Sequence, residues 1–128
     1  MAMIALQPHG VIPPVGGYAH GVIVPAGAKM LFISGQIPET KDGEVPPEFA
    51  QQATAVWQNI KTILVSANMQ MSNLVKVTTF LTDRMQAEEN GAIRRKFLGD
   101  HTPALTVVVA ATLDPRWLLE IEAIAVRA

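Results

Sequence analysis

Apolar and polar positions along this chain follow two periods. Over residues 48–68, Phe49, Ala53, Val56, Trp57, Ile60, Ile63, Leu64 and Ala67 recur every three or four residues and fall on one stripe. That spacing predicts an amphipathic helix. Pro47 stands just before it, where a helix tolerates proline, and Asn68 is a stop signal. A second helix is expected from a cap at Thr82 or Asp83 to about Leu98, with Gly99 ending it. Asn90-Gly91 is its weak point, since glycine there costs about 1 kcal/mol relative to alanine. The remaining apolar runs are β-branched and bounded by turn residues, the pattern of strands. Residues 3–7 read as a short edge strand. Residues 18–24 and 29–34 read as a hairpin about the turn Pro25-Ala26-Gly27-Ala28. Residues 74–81 and the almost wholly aliphatic 104–112 follow, the latter expected as a central strand, and Asp114-Pro115-Arg116 turns the chain into a last strand over 117–126.

The predicted order is β-β-β-α-β-α-β-β. Right-handed crossovers place both helices on the same face of one sheet. The other face then lacks cover, although 104–112 and 118–126 are apolar on both sides. The last strand is also interrupted by two acids, Glu120 and Glu122. Two residues apart, they point to one side, about 6.5 to 7 Å from each other along the strand, together with Leu118, Ile124 and Val126. A carboxylate among aliphatic side chains is unfavourable unless it is paired, hydrogen-bonded or protonated. Either a structural ion pair or subunit contact, or a carboxyl that handles a proton, accounts for it.

Composition narrows these choices. The 128 residues suit one domain, read here as spanning 1–128. Apolar residues make up 49% and charged ones 16%, which is apolar for so small a domain and, like the uncovered sheet face, calls for a homo-oligomer. The absence of cysteine excludes disulfides and thiol chemistry. A net charge of −1 gives no electrostatic footprint for nucleic acid or an anionic membrane. The first residues carry no signal-peptide pattern and no apolar run is long enough to span a bilayer, so a cytoplasmic location is expected.

Candidate chemistry is sparse. His9, His20 and His101 have no metal-binding spacing, and neither a glycine-rich nucleotide loop nor a nucleophile elbow is present. Gly16-Gly17-Tyr18-Ala19-His20 allows close backbone approach to a ligand and offers a phenol donor, or else is a tight entry to a strand. Asn90 is poor helix material and is expected to be held by a specific hydrogen bond, or to be exposed. Arg94-Arg95-Lys96 reads as a solvated helix face, Trp57 and Trp117 as packing, and Arg116 and Arg127 as partners for acids.

Taken together, Gly17-Tyr18-Ala19-His20, Phe32-Ile33-Ser34-Gly35-Gln36-Ile37-Pro38, Val75-Lys76-Val77-Thr78-Thr79-Phe80-Leu81-Thr82-Asp83, Asn90, Pro103-Ala104 and Glu120-Ile121-Glu122-Ala123-Ile124-Ala125-Val126-Arg127 resemble the RidA family (YjgF, reactive-intermediate deaminases) over essentially the whole chain. The resemblance implies a chorismate-mutase-like α+β fold, a mixed sheet with two helices on one face, and a homotrimer with clefts between neighbouring subunits. It implies cofactor-free hydrolysis of enamines and imines, such as 2-aminoacrylate, to a ketoacid and ammonia. By position, Tyr18, Ser34, Gly35, Asn90 and Glu120 would line the cleft, with Glu120 positioning water or passing a proton to the leaving amine. Glu122, on the same face, is left to serve structure or a subunit contact.

One departure matters. The deaminase subgroup carries an arginine after Pro-Ala that grips the substrate carboxylate, a task suited to a guanidinium. Here that position is Leu105, and Val107 follows where a cysteine or small polar residue is common, so the cleft floor is apolar. The chain thus resembles subgroups that lack the arginine. A substrate anion would need another cation, such as Arg94 or Arg116. A non-catalytic trimer that binds a small apolar metabolite is the alternative. An RNA-cleaving role, a historical label of the family, finds no phosphate-binding surface in a near-neutral chain. The departure is testable: Leu105→Arg is expected to create or raise ammonia release from 2-aminoacrylate-type imines. No gain in a variant that still assembles would mean that more than one residue separates this chain from those deaminases.

Overall fold

The computed structural model describes residues 3–128. The elements follow in the order β1 (Ile4–Leu6), β2 (Gly21–Ile23), β3 (Lys29–Gln36), α1 (Phe49–Ser66), β4 (Leu74–Leu81), α2 (Ala87–Leu98), β5 (Ala104–Val109) and β6 (Leu119–Arg127). Four strands form a mixed sheet in the order β3-β6-β4-β5. β6 is antiparallel to both neighbours, whereas β4 and β5 are parallel and joined through α2. Both helices pack on one face, as the element order predicts, giving the α+β arrangement that the resemblance implies. Trp57, Ile60 and Leu64 of α1, with Ile93 and Leu98 of α2, share one core with Val77 and Leu81 of β4 and Leu119, Ile121, Ala123 and Ala125 of β6.

The α1 stripe behaves as its period requires. Phe49, Ala53, Val56, Trp57, Ile60 and Leu64 are buried, and Ile63 and Ala67 pack at the margin of the same cluster. Each large side chain taken out of water contributes roughly 1.5–3 kcal/mol. Trp57 also stacks on Phe97 of α2, ring centroids 5.8 Å apart. Asn68 ends the helix in the left-handed region, φ 57°. The amide N–H groups of Met69 and Asn68 donate to Leu64 O (2.8 Å) and Val65 O (3.0 Å), the paired bonds of a Schellman cap. The α2 entry differs in detail from the prediction. The Asp83 carboxylate does cap, accepting from Met85 N at 2.9 Å, but it caps a 3-10 turn over Arg84–Gln86, and α2 begins at Ala87.

Two strand predictions are overturned. Residues 18–24 and 29–34 do not form a hairpin. β2 pairs with β1 in a separate two-stranded sheet, and β3 pairs with β6. The turn at 25–28 is real, but turn chemistry reports a reversal of direction, not which strands hydrogen-bond across it. Nor is β5 central. It lies at the sheet edge, with Val107, Val108 and Val109 38%, 40% and 50% exposed. An aliphatic run signals burial without saying what buries it. The face of the sheet away from the helices is likewise open and apolar, with Met30 and Phe32 of β3 51% and 69% exposed.

One polar side chain ties the start of α1 to the approach of β6. Gln52 is 1% exposed. Its Nε2 donates to Pro46 O (2.8 Å) and Arg116 O (2.9 Å), and its Oε1 accepts from Leu118 N (2.8 Å). The turn below holds its own ion pair, Arg116 Nη2 to Asp114 Oδ2 at 2.7 Å. Gln52→Leu keeps the volume but strands three backbone groups, so it is expected to lower unfolding free energy by about 2–4 kcal/mol. Urea denaturation of wild type and variant measures the difference, and a loss under about 1 kcal/mol would show that water replaces all three bonds.

Candidate functional site

The alternation of β6 decides where its acids point. Leu119, Ile121, Ala123 and Ala125 face the helices, so Glu120 and Glu122 face the open side of the sheet. Glu120 lies opposite Phe80 and Glu122 opposite Thr78 of β4. They are not equivalent: Glu122 is exposed, whereas Glu120 is half-buried.

β3 explains the difference. Between Ile33↔Ala123 and Gln36↔Ile121, β3 spends three steps against two on β6. The extra residue makes a β-bulge at Ser34-Gly35, a device that recurs next to sites because it re-aims the chain. The Glu120 carboxylate folds over Gly35. A Cβ at that glycine would overlap the carboxylate oxygen and lie 2.9 Å from the Glu120 Cδ. Gly35 is therefore required by the acid beside it, not by its own backbone angles. Gly35 and Glu120 form one group, with Ser34 next to them in the bulge.

Tyr18, Asn90, Leu105 and Val107 form a second group. They line a cavity of about 480 Å³ together with Val15, His20, Ala87 and Arg94. Its floor is β5, whose Leu105 and Val107 alternate onto the helix side in register with Val77 and Thr79 of β4. Its wall is α2, where Asn90 and Arg94 are one turn apart and share a face. Its lip is the loop 15–20, stitched to the sheet edge by Ala19 N donating to Pro103 O at 3.0 Å and by a parallel bridge between Ala19 and Ala104. Tyr18 and His20 meet edge to face with ring centroids 5.7 Å apart, and His20 Nε2 lies 2.5 Å from Ile12 O.

Two expectations about the wall are corrected. Asn90 is 2% exposed, and its Oδ1 has no hydrogen-bond partner among the described residues, so it is neither exposed nor held through that oxygen. Arg94 is not part of a solvated face. It is 6% exposed, with Nε buried and unpartnered among the described residues. Burial, and then the neighbouring Arg95 charge, lower its pKa. Of the other arginines noted from the sequence, Arg116 pairs with Asp114, and Arg127 donates to Asn68 O at 3.0 Å and meets no acid among the described residues of its own chain. Two somewhat larger hollows, about 570 and 520 Å³, are lined by no residue with a buried unpartnered polar atom.

A single chain thus carries two half-sites on opposite faces of its sheet. The sequence named seven residues, but alternation splits them, with Glu120 on one side and Leu105 and Val107 on the other. His20 and Arg94 complete the cleft, and the i to i+4 spacing of Asn90 and Arg94 was the signal for the second. Among the described residues no cluster of acidic or histidine side chains could hold a metal ion, and no helix is long and apolar enough to cross a membrane.

Comparison with known proteins adds a third kind of observation. A family model described as Endoribonuclease L-PSP matches residues 10–127. The 2-iminobutanoate/2-iminopropanoate deaminase of Escherichia coli (strain K12) is 37% identical over 117 residues, covering 88% of this chain and 89% of that one. TdcF of the same organism, a proposed reactive intermediate deaminase, is 35% identical over 117 residues and 88% of each chain. Its crystal structure with bound serine superposes with a TM-score of 0.74 at 32% identity, covering 98% and 99% of the two chains. A Yersinia pestis protein of the conserved Rid family, YyfB, whose function is unknown, superposes with a TM-score of 0.87 at 25% identity over 99% and 100% of the chains.

The Gly35 contact yields a test that needs no knowledge of substrate. Gly35→Ala is expected to drive the Glu120 carboxylate off the bulge while leaving the strand pairing intact. A crystal structure of the variant with Glu120 in its original rotamer, or circular dichroism showing a lost fold, would contradict this.

Proposed function

Because the chain belongs to the RidA/YjgF family, we propose that it hydrolyses the C=N bond of a small imine, or of the enamine in equilibrium with it, in clefts formed between copies of itself. The substrate is not 2-aminoacrylate itself, since Leu105 stands at the position where the deaminases' arginine would hold its carboxylate. The observation that carries the reading is the split site. Glu120 over Gly35 lies on the open sheet face and the Tyr18–Asn90 cleft on the other, so a second copy is needed to bring an acid to the cleft. The exposed Met30 and Phe32 on the same sheet face as Glu120, and Val107, Val108 and Val109 on the edge strand of the other half, are apolar surface that such an assembly covers. A homotrimer of chorismate-mutase-like protomers satisfies both requirements.

In this reading Glu120 accepts a proton from water as the water oxygen bonds to the imine carbon. The carbinolamine forms as Glu120 returns that proton to the imine nitrogen. Glu120 then takes the carbinolamine hydroxyl proton and passes it to the amine nitrogen as the C–N bond breaks, so that ammonia leaves and the carbon keeps its oxygen as a carbonyl. One water is consumed and no electrons are exchanged, so the reaction needs no cofactor. Ser34 and the backbone at Gly35 hold the Glu120 side, and Tyr18 donates from the cleft. An RNA-cleaving role, which the family's description carries, is not favoured by a net charge of −1.

The decisive measurement is ammonia release from imines generated in situ by an amino-acid oxidase or a pyridoxal-phosphate lyase, over aliphatic and aromatic side chains. Glu120→Gln is expected to reduce the rate on every active substrate by roughly 10²–10⁴, the range for loss of a positioned general acid–base. Rates equal to wild type would remove Glu120 from the mechanism. Ligand-dependent thermal stabilisation without turnover of any imine would favour a binding protein.

A further inference from the structure

Arg94 is a charge without an answer. It is 6% exposed, its Nε finds no acceptor among the described residues, and no carboxylate pairs with it there. Its Nη2 lies 3.7 Å from where a Cβ would stand on Gly16, and equally from one on Gly91. The guanidinium therefore lies between α2 and the cleft lip, against two positions that carry no side chain. Gly16 has φ 90°, a conformation other residues rarely adopt. The other charge near these glycines is Arg95, whose Nη1 would lie 3.8 Å from a Gly16 Cβ, and that is a like charge. Burying an unpaired cation is strongly unfavourable unless something supplies the counter-charge.

One turn earlier on the same wall, Asn90 Oδ1 is buried without a donor among the described residues. Across the cavity, Leu105 and Val107 offer only aliphatic surface. The wall thus presents a cationic donor and a neutral acceptor four residues apart, facing an apolar floor.

We propose that Arg94 is the anion receptor of this cleft. It binds the carboxylate of a small molecule from the α2 wall, while a neighbouring N–H group of the ligand is accepted by Asn90 and an apolar substituent lies along Leu105 and Val107. This rests on the cleft being the substrate site and narrows its substrate to imino acids with a sizeable hydrocarbon side chain. Such a ligand answers both orphaned polar groups at once and fills a floor that a bare two- or three-carbon acid would leave uncovered. Arg94 here does from the helix what a guanidinium at position 105 would do from the strand.

The test uses the ketoacids that such a reaction releases, 4-methyl-2-oxopentanoate and phenylpyruvate, with the uncharged 4-methyl-2-pentanone as control. Calorimetric titration of the assembled wild-type protein is expected to show binding of both acids and none of the ketone. Arg94→Met should weaken the acids by about tenfold or more, the loss of a charge-assisted hydrogen bond, and Arg94→Lys by less. The melting temperature of unliganded Arg94→Met should equal or exceed that of wild type, because the variant removes a buried charge. Unchanged acid affinity in Arg94→Met, no binding of either acid to wild type, or a variant that melts early or dissociates would each overturn the proposal, the last by making Arg94 a structural or intersubunit ion-pair residue. Glu120→Gln separates this idea from the hydrolase reading. A fully active Glu120→Gln alongside a binding-deficient Arg94→Met would sink the mechanism and leave the anion subsite standing.

Discussion

The pleat of one strand governs the rest of this molecule. β6 is held between β3 and β4, and its odd-numbered positions must lie under the helices, because Leu119, Ile121, Ala123 and Ala125 complete the core there. Successive side chains of a strand point to opposite faces, so the even positions have no choice. Glu120 and Glu122 face the open side whatever their own preferences. A slip of one residue would send both carboxylates into the hydrocarbon core and the aliphatic set into water, which is why register here is strongly specified. The placement of the acids follows from the packing of their neighbours.

The same constraint shows why part of the site was legible in the sequence and part was not. Period and composition revealed the elements. The α1 stripe, the stop at Asn68 and the paired acids of the last strand all report local geometry, and local geometry is what a sequence pattern encodes. Pairing was harder. The turn at Pro25–Ala28 suggested a hairpin, yet β3 joins β6, almost a hundred residues further on. The valine run of β5 suggested the centre of a sheet, yet it forms an edge. Both errors have one cause: apolar residues declare that they will be covered, and leave open by which partner. Arg94 failed in the opposite direction. Three adjacent basic residues look solvated as a group, but on a helix they point in three directions, and the inward one is Arg94.

The two half-sites also differ in how they are made firm. On the Glu120 side the geometry is steric. The bulge and the missing side chain of Gly35 leave a slot that the carboxylate fills. On the Arg94 side it is electrostatic. A guanidinium and an amide oxygen are kept in a wall without partners among the described residues, an arrangement that costs the empty protein stability and, with Arg94 as the anion receptor proposed above, readies it for a charged ligand. Stability given up at a site in this way is common where function requires it. Gln52, by contrast, satisfies three backbone groups with one side chain and keeps the segment leading to Glu120 in place.

The strand order β3-β6-β4-β5 has a further consequence, for how the chain reaches this state. Synthesis delivers β3, both helices, β4 and β5 before β6, yet β3 and β4 have no contact across the sheet until β6 lies between them. Until residues 119–127 emerge, the growing chain can form the α1 and α2 helices and the β4-α2-β5 unit but cannot seal its sheet. Assembly must then be late and largely concerted, with long-range pairings dominating, the topology that folds slowly and exposes apolar edges meanwhile. The strand on which the sheet closes is therefore the last of the described elements to emerge from the ribosome.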